Sequence, residues 1–311
     1  MKGISKFGLA AVVVILVVLF GMFNPVFISV SNLINVIDQI AIIGIIALGM
    51  TIVIIIGGID LSVGSIVAFA GIVLAKCLVA GLSLPISIFL CLLTGIGLGL
   101  INGFFIAYGK VPAFIATLGL MSAARGAALY LTDGRSVSGI PEGLSSFVTN
   151  QILGFSAPTI IFILLSIVFW LFLKYTYWGK YIYAIGGNEK AAWLSGIKVR
   201  KYKLLVYSLS GLASAIACVM LVGKLNSAQP QAGNMYELNA IAAVVIGGAS
   251  LSGGKGQIWS TFLGVLTLGI LQNGFSILNI PSYYQQILVG LVIIFAVIID
   301  SKSFKINNYE K

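Results

Sequence analysis

The fold class of this chain is decided by the stretch Ile54-Ile55-Ile56-Gly57-Gly58-Ile59-Asp60-Leu61-Ser62-Val63-Gly64-Ser65. It brings a carboxylate, two hydroxyls and three glycines into an apolar run that extends from about residue 40 to residue 79. Because hydrocarbon offers no water to a free peptide group, such a break is stable only inside protein or beside an aqueous cavity. An ionisable residue such as Asp60 costs about 2.5–3.5 kcal/mol at this depth on insertion scales, and by default it marks a functional site. The stretch therefore predicts a membrane protein that forms a conduit.

The composition of the whole chain also indicates an integral membrane protein. Of its 311 residues, 59% are hydrophobic and 8% are charged, whereas ordinary soluble domains have about 25% charged residues. A bilayer-spanning helix needs about 20 predominantly apolar residues. Candidate stretches occur near residues 8–23, 40–57, 63–82, 86–108, 112–131, 158–175, 204–223, 238–250, 257–274 and 284–300. We therefore predict an all-α integral membrane protein with about ten transmembrane helices, embedded in the lipid bilayer as one domain over residues 1–311.

The positive charge of the chain, +10 in total, is concentrated in three clusters. Between residues 174 and 203, seven cations are opposed by Glu189 alone. The other two clusters are formed by lysines near the ends, namely Lys2, Lys6, Lys302, Lys305 and Lys311. The positive-inside rule places all three clusters, and thus the N- and C-termini, in the cytoplasm, as an even number of spans requires. The basic stretch lacks an aromatic platform, so no nucleic acid is expected as a partner.

Residue types that are typical of catalysis or of cofactor binding are missing from the sequence. Histidine is absent, and the three cysteines, Cys77, Cys91 and Cys218, lie in apolar segments without the spacing of metal ligands. The stretch 248–256 differs from a phosphate-binding P-loop because an extra glycine precedes Lys255 and because Gly256 replaces the hydroxyl residue that would ligate Mg²⁺. We therefore expect neither an enzyme nor a bound cofactor or metal, and any ATP-driven work belongs to a partner.

An internal repeat accompanies the interruption at residues 56–64. Residues 246–254 share its pattern I-G-G-x-x-L-S-x-G at an offset of 190 residues. Paired interruptions in the two halves of a chain indicate a translocation path built from repeats, although glycines also simply allow membrane helices to approach one another. Asp60 has a second interpretation as well, because a carboxylate at this position could cap the N-terminus of the third helix.

A short helix is predicted within the basic cytoplasmic segment of about residues 176–203. Asn188 can cap its N-terminus, Glu189 lies in its first turn, and Gly196 is placed to end it. A helix of about two turns is marginal in water on its own. Docking to a partner would explain its presence, and a plain connecting turn is the simpler alternative.

Four motifs resemble those of the bacterial ATP-binding-cassette importer permeases for monosaccharides, and they occur in the same order along the chain. The first is the coupling-helix motif Gly187-Asn188-Glu189-x-Ala191-Ala192-x-x-Ser195-Gly196-Ile197. The others are residues 57–65, Leu225-Asn226-Ser227-Ala228-Gln229-Pro230, and residues 247–256. The resemblance extends from about residue 35 to residue 302. Permeases for ribose, xylose and galactose are similar in these same motifs, and ribose is the sugar that we expect.

The resemblance implies a homodimeric permease in the bacterial inner membrane, with ATP and Mg²⁺ bound by a separate cytoplasmic ATPase subunit. A periplasmic binding protein would deliver the sugar to the outer face. The ATPase would dock on the coupling helix through Gly187, Asn188, Glu189, Ala191, Ala192, Trp193, Ser195, Gly196 and Ile197. Trp193 stands at a variable position of the motif, and it could serve either as an anchor on the ATPase or as an aromatic residue at the lipid interface.

Polar residues within or near the spans are the candidates for the sugar pathway, because a neutral sugar needs hydroxyl, amide and carboxylate partners. They are Asp60, Ser62, Ser65, Asn102 and Asn273, with Thr117 and Ser122 in addition. The two asparagines could instead be plain interhelical hydrogen-bonding groups. We expect Arg125 to extend outward toward Asp133 rather than to contact the substrate. The alternative function is a secondary transporter of a small polar solute that is driven by an ion gradient and uses Asp60.

Overall fold

The computed structural model describes residues 6–152 and 154–309, so Lys2 and Lys311 of the terminal basic clusters lie outside the described residues. Its helices are α1 Lys6–Phe23, α2 Val30–Ile55, α3 Val63–Val79, α4 Leu84–Ala107, α5 Ala113–Thr132, α6 Glu142–Thr149, α7 Ala157–Tyr175, α8 Tyr177–Gly187, α9 Glu189–Leu194, α10 Val199–Leu225, α11 Tyr236–Ile246, α12 Ile258–Ile277 and α13 Ser282–Tyr309. A short 3₁₀ turn, Pro25–Ile28, links the first two helices. Within the described residues, extended pairing is limited to two isolated bridges. The expectation of an all-α chain is confirmed.

Every predicted apolar stretch carries a helix, but the helices differ in length. Six of them, α2, α4, α5, α7, α10 and α12, are long and apolar enough to cross a membrane. The remaining four stretches hold shorter apolar helical segments, namely Gly8–Phe23, Val63–Val79, Tyr236–Ile246 and Ser282–Phe295. The stretch 238–250 was expected to span, yet α11 has only 11 residues. At 1.5 Å per residue it is much shorter than the roughly 30 Å hydrocarbon core, because a glycine turn ends it.

Helices α2 and α10 form the centre of the bundle. Their most apolar windows are 78% and 72% buried, against 22% for α4 and 17% for α5. Glycines allow α4 to pack directly on α10: Gly95, Gly99 and Gly103 recur every fourth residue along it. A methyl group at Gly95 would overlap the carbonyl oxygen of Gly211, and one at Gly99 would overlap that of Tyr207. Small residues thus bring two membrane helices into backbone contact.

The two copies of the sequence repeat both end a helix. Helix α2 ends at Ile55 and α11 at Ile246, and the chain then turns through Gly57 (φ +88°) and Gly248 (φ +83°). Both turns are of the Schellman type: the N–H that follows the glycine bonds the carbonyl five residues earlier, at 2.8 Å and 3.2 Å respectively. The offset of 190 residues pairs Gly57 with Gly247, but the turn glycine of the second copy is Gly248, so the turn comes one residue later there.

Candidate functional site

The connection between α2 and α3 holds a buried carboxylate. Asp60 is fully buried. Its Oδ1 accepts hydrogen bonds from the backbone N–H of Ser62 (3.0 Å) and from the Ser62 hydroxyl (2.6 Å). Its Oδ2 accepts a hydrogen bond from the hydroxyl of Ser210 on α10 (2.7 Å). No lysine or arginine among the described residues forms an ion pair with it. Three donors therefore stabilise a carboxylate that has no cationic partner in the described chain.

Two more predicted pathway residues complete this cluster. The amide of Asn102 on α4 donates to the Ser62 hydroxyl at 2.8 Å, and Ser65 donates to the Ser62 carbonyl at 2.8 Å. The amide oxygen of Asn102 is the one buried side-chain polar atom of the described residues that lacks a hydrogen-bond partner. The structure thus brings together Asp60, Ser62, Ser65 and Asn102, and it adds Ser210, which the sequence reasoning missed.

The interpretation of Asp60 as the N-cap of the third helix is wrong in detail. Helix α3 begins at Val63, and Ser62 is its N-cap residue. The carboxylate accepts the N–H of Ser62, which precedes the first turn of the helix, rather than the free N–H groups of that turn. Asp60 therefore shapes the connection and links it to α10, 150 residues away along the chain.

Asn273 is not part of this cluster. It exchanges two amide hydrogen bonds with Asn32, at 3.0 Å and 3.1 Å, and so connects α12 to α2. This geometry matches the plain interhelical role that was left open for the asparagines. Thr117 is fully buried, and its hydroxyl donates to the carbonyl of Ala113 in its own helix (2.8 Å) and to that of Ile59, next to Asp60 (3.3 Å). Ser122 is exposed and donates to the carbonyl four residues earlier.

A cavity of about 490 Å³ opens beside the first repeat turn. It lies between that turn, the connection from α4 to α5, helix α9 and the start of α10; its lining includes Gly57, Gly58, Lys110, Pro112, Ala113, Glu189, Trp193, Val199, Arg200, Lys203 and Tyr207. The hydroxyl of Tyr207 lies 3.5 Å from the carbonyl oxygen of Ile59, next to Asp60 in the chain. The buried carboxylate is therefore close to this cavity but does not line it.

The predicted short helix is present as α9, and its local geometry is the expected one. The Asn188 side chain accepts the N–H of Ala191 at 2.9 Å as the N-cap. Gly196 follows the helix with φ +85° and permits the closing turn. Glu189 forms an ion pair with Lys203 at 2.8 Å. Trp193 is 65% exposed, as is fitting for a contact residue, and the geometry leaves both of its proposed roles open.

The helix before it, α8, was missed by the sequence analysis, and it places the coupling motif against both repeats. Its last two residues are Gly186 and Gly187. A methyl group at Gly186 would overlap the carbonyl oxygen of Ile55 and lie 2.6 Å from the backbone nitrogen of Gly254. The backbone N–H of Gly254 donates a hydrogen bond to the carbonyl oxygen of Ile55 at 2.8 Å. The side chain of Tyr183 adds a bond to the carbonyl of Gly256 (2.7 Å), and burial raises the pKa of its hydroxyl.

We call this contact of Ile55, Gly186 and Gly254 the glycine junction. It joins the end of α8, the end of α2 and the last residue of the second repeat backbone to backbone, with no side chain between them. Asn188, the N-cap of α9, lies two residues after Gly186 in the chain. The start of α9 is therefore linked through Gly187 to the point where α8 meets both repeats.

The expectation for Arg125 is corrected by the structure. Its Nη1 donates to the carbonyl oxygens of Pro230 (2.8 Å) and Ala232 (2.6 Å), in the connection between α10 and α11. Asp133 lies more than two helical turns further along the chain, whereas these carbonyls are within reach. The carboxylate of Glu237 interacts electrostatically with the guanidinium. Arg125 thus fixes the end of the motif at residues 225–230 and the residues directly after it.

Apolar helices of spanning length, paired helix interruptions and a buried polar cluster in the described residues are typical of a multi-pass membrane transport component. Residues 32–297 match the family described as the branched-chain amino acid transport system / permease component. The chain belongs to this family of permeases.

Curated relatives are similar over nearly their whole length. The ribose import permease protein RbsC of Bacillus subtilis is 46% identical over 290 residues, which are 93% of this chain and 90% of that protein. RbsC of Escherichia coli K12 is 43% identical, over 93% of this chain and 91% of its own. The D-allose transport system permease protein AlsC of the same organism is 35% identical, over 95% and 91%. No solved structure matches the chain significantly.

Proposed function

We propose that this chain is the transmembrane permease subunit of an ATP-driven importer that translocates ribose. The observation that carries the proposal is the 43–46% identity with ribose import permeases over 93% of the chain. The family description names amino acid transport, but a description of a whole family is less specific than these near full-length relatives. The resemblance of the motifs to permeases for monosaccharides points to the same substrate class.

The proposed partner on the basic side of the membrane is a separate ATPase, which binds ATP and Mg²⁺ and docks on α9. The exposure of Trp193 (65%) and Leu194 (69%) supports this role, because two large apolar side chains on a six-residue helix otherwise gain nothing from facing water. Asn188 and Gly196 fix the two ends of the helix. The glycine junction then carries the movement of α9 into the bundle.

The proposed assembly is a homodimer in the bacterial inner membrane, with a periplasmic binding protein that delivers ribose to the outer face. Helix α11 is too short to cross by itself, so the proposed topology counts α11 together with the connection to α12 as one of ten crossings. Ten crossings place both termini in the cytoplasm, in agreement with the distribution of basic residues. The chain forms one permease domain over residues 1–311. The polar cluster of Asp60, Ser62, Ser65 and Asn102 is the proposed pathway element. The amide oxygen of Asn102 is buried without a hydrogen-bond partner among the described residues, and it would accept a hydrogen bond from a sugar hydroxyl only after the surrounding helices move apart. Asn273 has a structural role instead.

The test is ATP hydrolysis by the purified permease and its ATPase in nanodiscs, with and without ribose-loaded binding protein. We expect stimulation by the loaded binding protein, and a loss of stimulation in Trp193→Ala, because an exposed anchor contributes about 2–4 kcal/mol to an interface. Tyr177→Ala is the matched control, since this aromatic residue is similarly exposed on α8 (58%). An unchanged response in Trp193→Ala assigns that side chain to the lipid interface. A permease that never engages the ATPase contradicts the proposed function.

A further inference from the structure

The cavity beside α9 carries positive charge that the described residues do not neutralise. Its lining contains three cations, Lys110, Arg200 and Lys203, and one anion, Glu189. Glu189 is paired with Lys203 at 2.8 Å, in the single ion pair found among residues 6–152 and 154–309. Two cationic side chains are therefore left facing the same space without an acidic partner.

Two helix N-termini add to this positive potential. Helix α5 begins at Ala113 and α10 at Val199, and both residues line the cavity. No side chain caps either N-terminus. Backbone carbonyls accept the N–H groups of Ile115, Val199 and Lys201, so the N–H groups that remain for an anion are those of Ala113 and Phe114 in α5 and of Arg200 in α10. The free N–H groups of a first turn and the positive end of the helix dipole both favour an anion. The cavity thus combines two cations with two uncapped helices of 20 and 27 residues.

The surroundings of the cavity are apolar and aromatic. The exposed side chains of Phe104, Phe105 and Phe114 flank the connection between α4 and α5. The guanidinium of Arg200 lies over the ring of Tyr108, 5.4 Å from its centroid. Aromatic residues beside cations are typical of the level of lipid headgroups. An anion that is bound here would have an apolar surface directly next to it, on which acyl chains can lie.

We infer that this cavity binds the phosphate group of an anionic phospholipid, from the leaflet in which α4 ends and α5 begins. The phosphate accepts hydrogen bonds from Lys110 and from Arg200, whose planar guanidinium suits two phosphate oxygens. A volume of about 490 Å³ accommodates a headgroup, and the acyl chains extend over the exposed phenylalanines. Because α9 forms one wall of the cavity, the lipid also contacts the helix that docks the ATPase in the proposed function. The site itself does not depend on that function.

The test is retention of lipid by the purified permease, measured by native mass spectrometry after equilibration with mixed micelles of phosphatidylglycerol and phosphatidylcholine. We expect preferential retention of phosphatidylglycerol by the wild type. The variant Lys110→Gln/Arg200→Gln should bind it roughly 30-fold more weakly, because each basic residue near a lipid surface accounts for about a fivefold change. Arg200→Lys keeps the charge and should retain most of the binding. Lys180→Gln removes one positive charge at an exposed position of α8 outside the cavity, and it should bind like the wild type.

Three results would overturn the assignment. The first is equal retention of the two lipids by the wild type. The second is undiminished phosphatidylglycerol on the double variant that elutes as a folded protein in size-exclusion chromatography. The third is displacement of the lipid by millimolar inorganic phosphate alone, which would make the cavity a site for a small anion. If the double variant shows the second result and also no longer co-purifies with the ATPase, the two charges serve a protein partner and the lipid assignment is wrong.

Discussion

The glycine junction predicts that alanine is tolerated much less well at Gly186 than at the adjacent Gly187. In Gly186→Ala the new methyl group would overlap the carbonyl oxygen of Ile55 and lie 2.6 Å from the nitrogen of Gly254, so the backbones must separate. Overpacking of this kind costs about 1–3 kcal/mol. Separation also weakens the hydrogen bond between those two backbones, which contributes about 0.5–1.5 kcal/mol. Replacing glycine by alanine inside a helix returns up to about 1 kcal/mol, and we therefore expect a net loss of about 1–3 kcal/mol.

Gly187→Ala is the matched control, because a methyl group at this position meets nothing within 4 Å. The assay compares the thermal unfolding of both variants in detergent, and then ribose uptake per ATP hydrolysed in the reconstituted transporter. Gly186→Ala should unfold at a lower temperature and transport less ribose per ATP, by about fivefold or more, as expected for the loss of 1 kcal/mol or more of coupling. Gly187→Ala should unfold at the wild-type temperature, and the unfolding comparison alone serves as the control, because Gly187 belongs to the segment on which the ATPase is expected to dock. Equal behaviour of the two variants would refute the reasoning.

Three further predictions concern the polar contacts of the bundle. Ser210→Ala removes one donor from the buried carboxylate of Asp60, and it should lower the free energy of unfolding by about 1.5–3 kcal/mol, measured by denaturant titration. A double-mutant cycle of Asn32→Leu and Asn273→Leu should give a coupling energy of about 0.6–1.7 kcal/mol in the same titration, with uptake retained in the double variant. Arg125→Gln removes a charged donor from two carbonyls, and it should increase proteolytic cleavage between residues 226 and 235 several-fold.

Each of these three predictions has a result that would contradict it, and the first also has a control variant at a neighbouring serine of α10. Ser208→Ala, which removes a hydroxyl that bonds only the carbonyl of Leu204, should change stability little. If Ser208→Ala lost as much stability as Ser210→Ala, the cause would be the removal of a serine from α10 and not the loss of a donor to the Asp60 carboxylate. A coupling energy near zero would mean that the two amides do not interact. Cleavage that is unchanged in Arg125→Gln would show that other contacts fix the segment.

Features that depend on neighbouring residues in the chain were predictable from the sequence. The apolar stretches predicted the helices, since a long run without charges has few other stable forms in a membrane. The ends of α9 followed from Asn188 and Gly196, because capping is a local interaction. Helix α8 was not predicted, since its pattern is neither continuous nor strictly periodic. Its stability depends on an N-cap at Thr176 and on the burial of Ile182 and Ile185 by tertiary packing.

The composition of the polar cluster could be predicted only in part. Asp60 and Ser62 stood out because they interrupt an apolar run, and they do lie together. Ser210 is 150 residues away from Asp60, and the sequence does not fix which helices touch. The same reason explains Asn273, whose partner Asn32 is 241 residues distant. A scan for single hydroxyl residues within the apolar run of α10 would have identified Ser210 as a candidate.

The most direct test of the account is ribose uptake into proteoliposomes that contain the permease and its ATPase. The ATP sites face the external solution, and ribose-loaded binding protein is enclosed in the lumen, so that import is measured as release of ribose to the outside. Ionophores abolish all ion gradients. The account predicts transport that requires ATP and the binding protein and is insensitive to the ionophores. Transport that persists without ATP but disappears with the ionophores would contradict it, and would make Asp60 the centre of an ion-driven transporter.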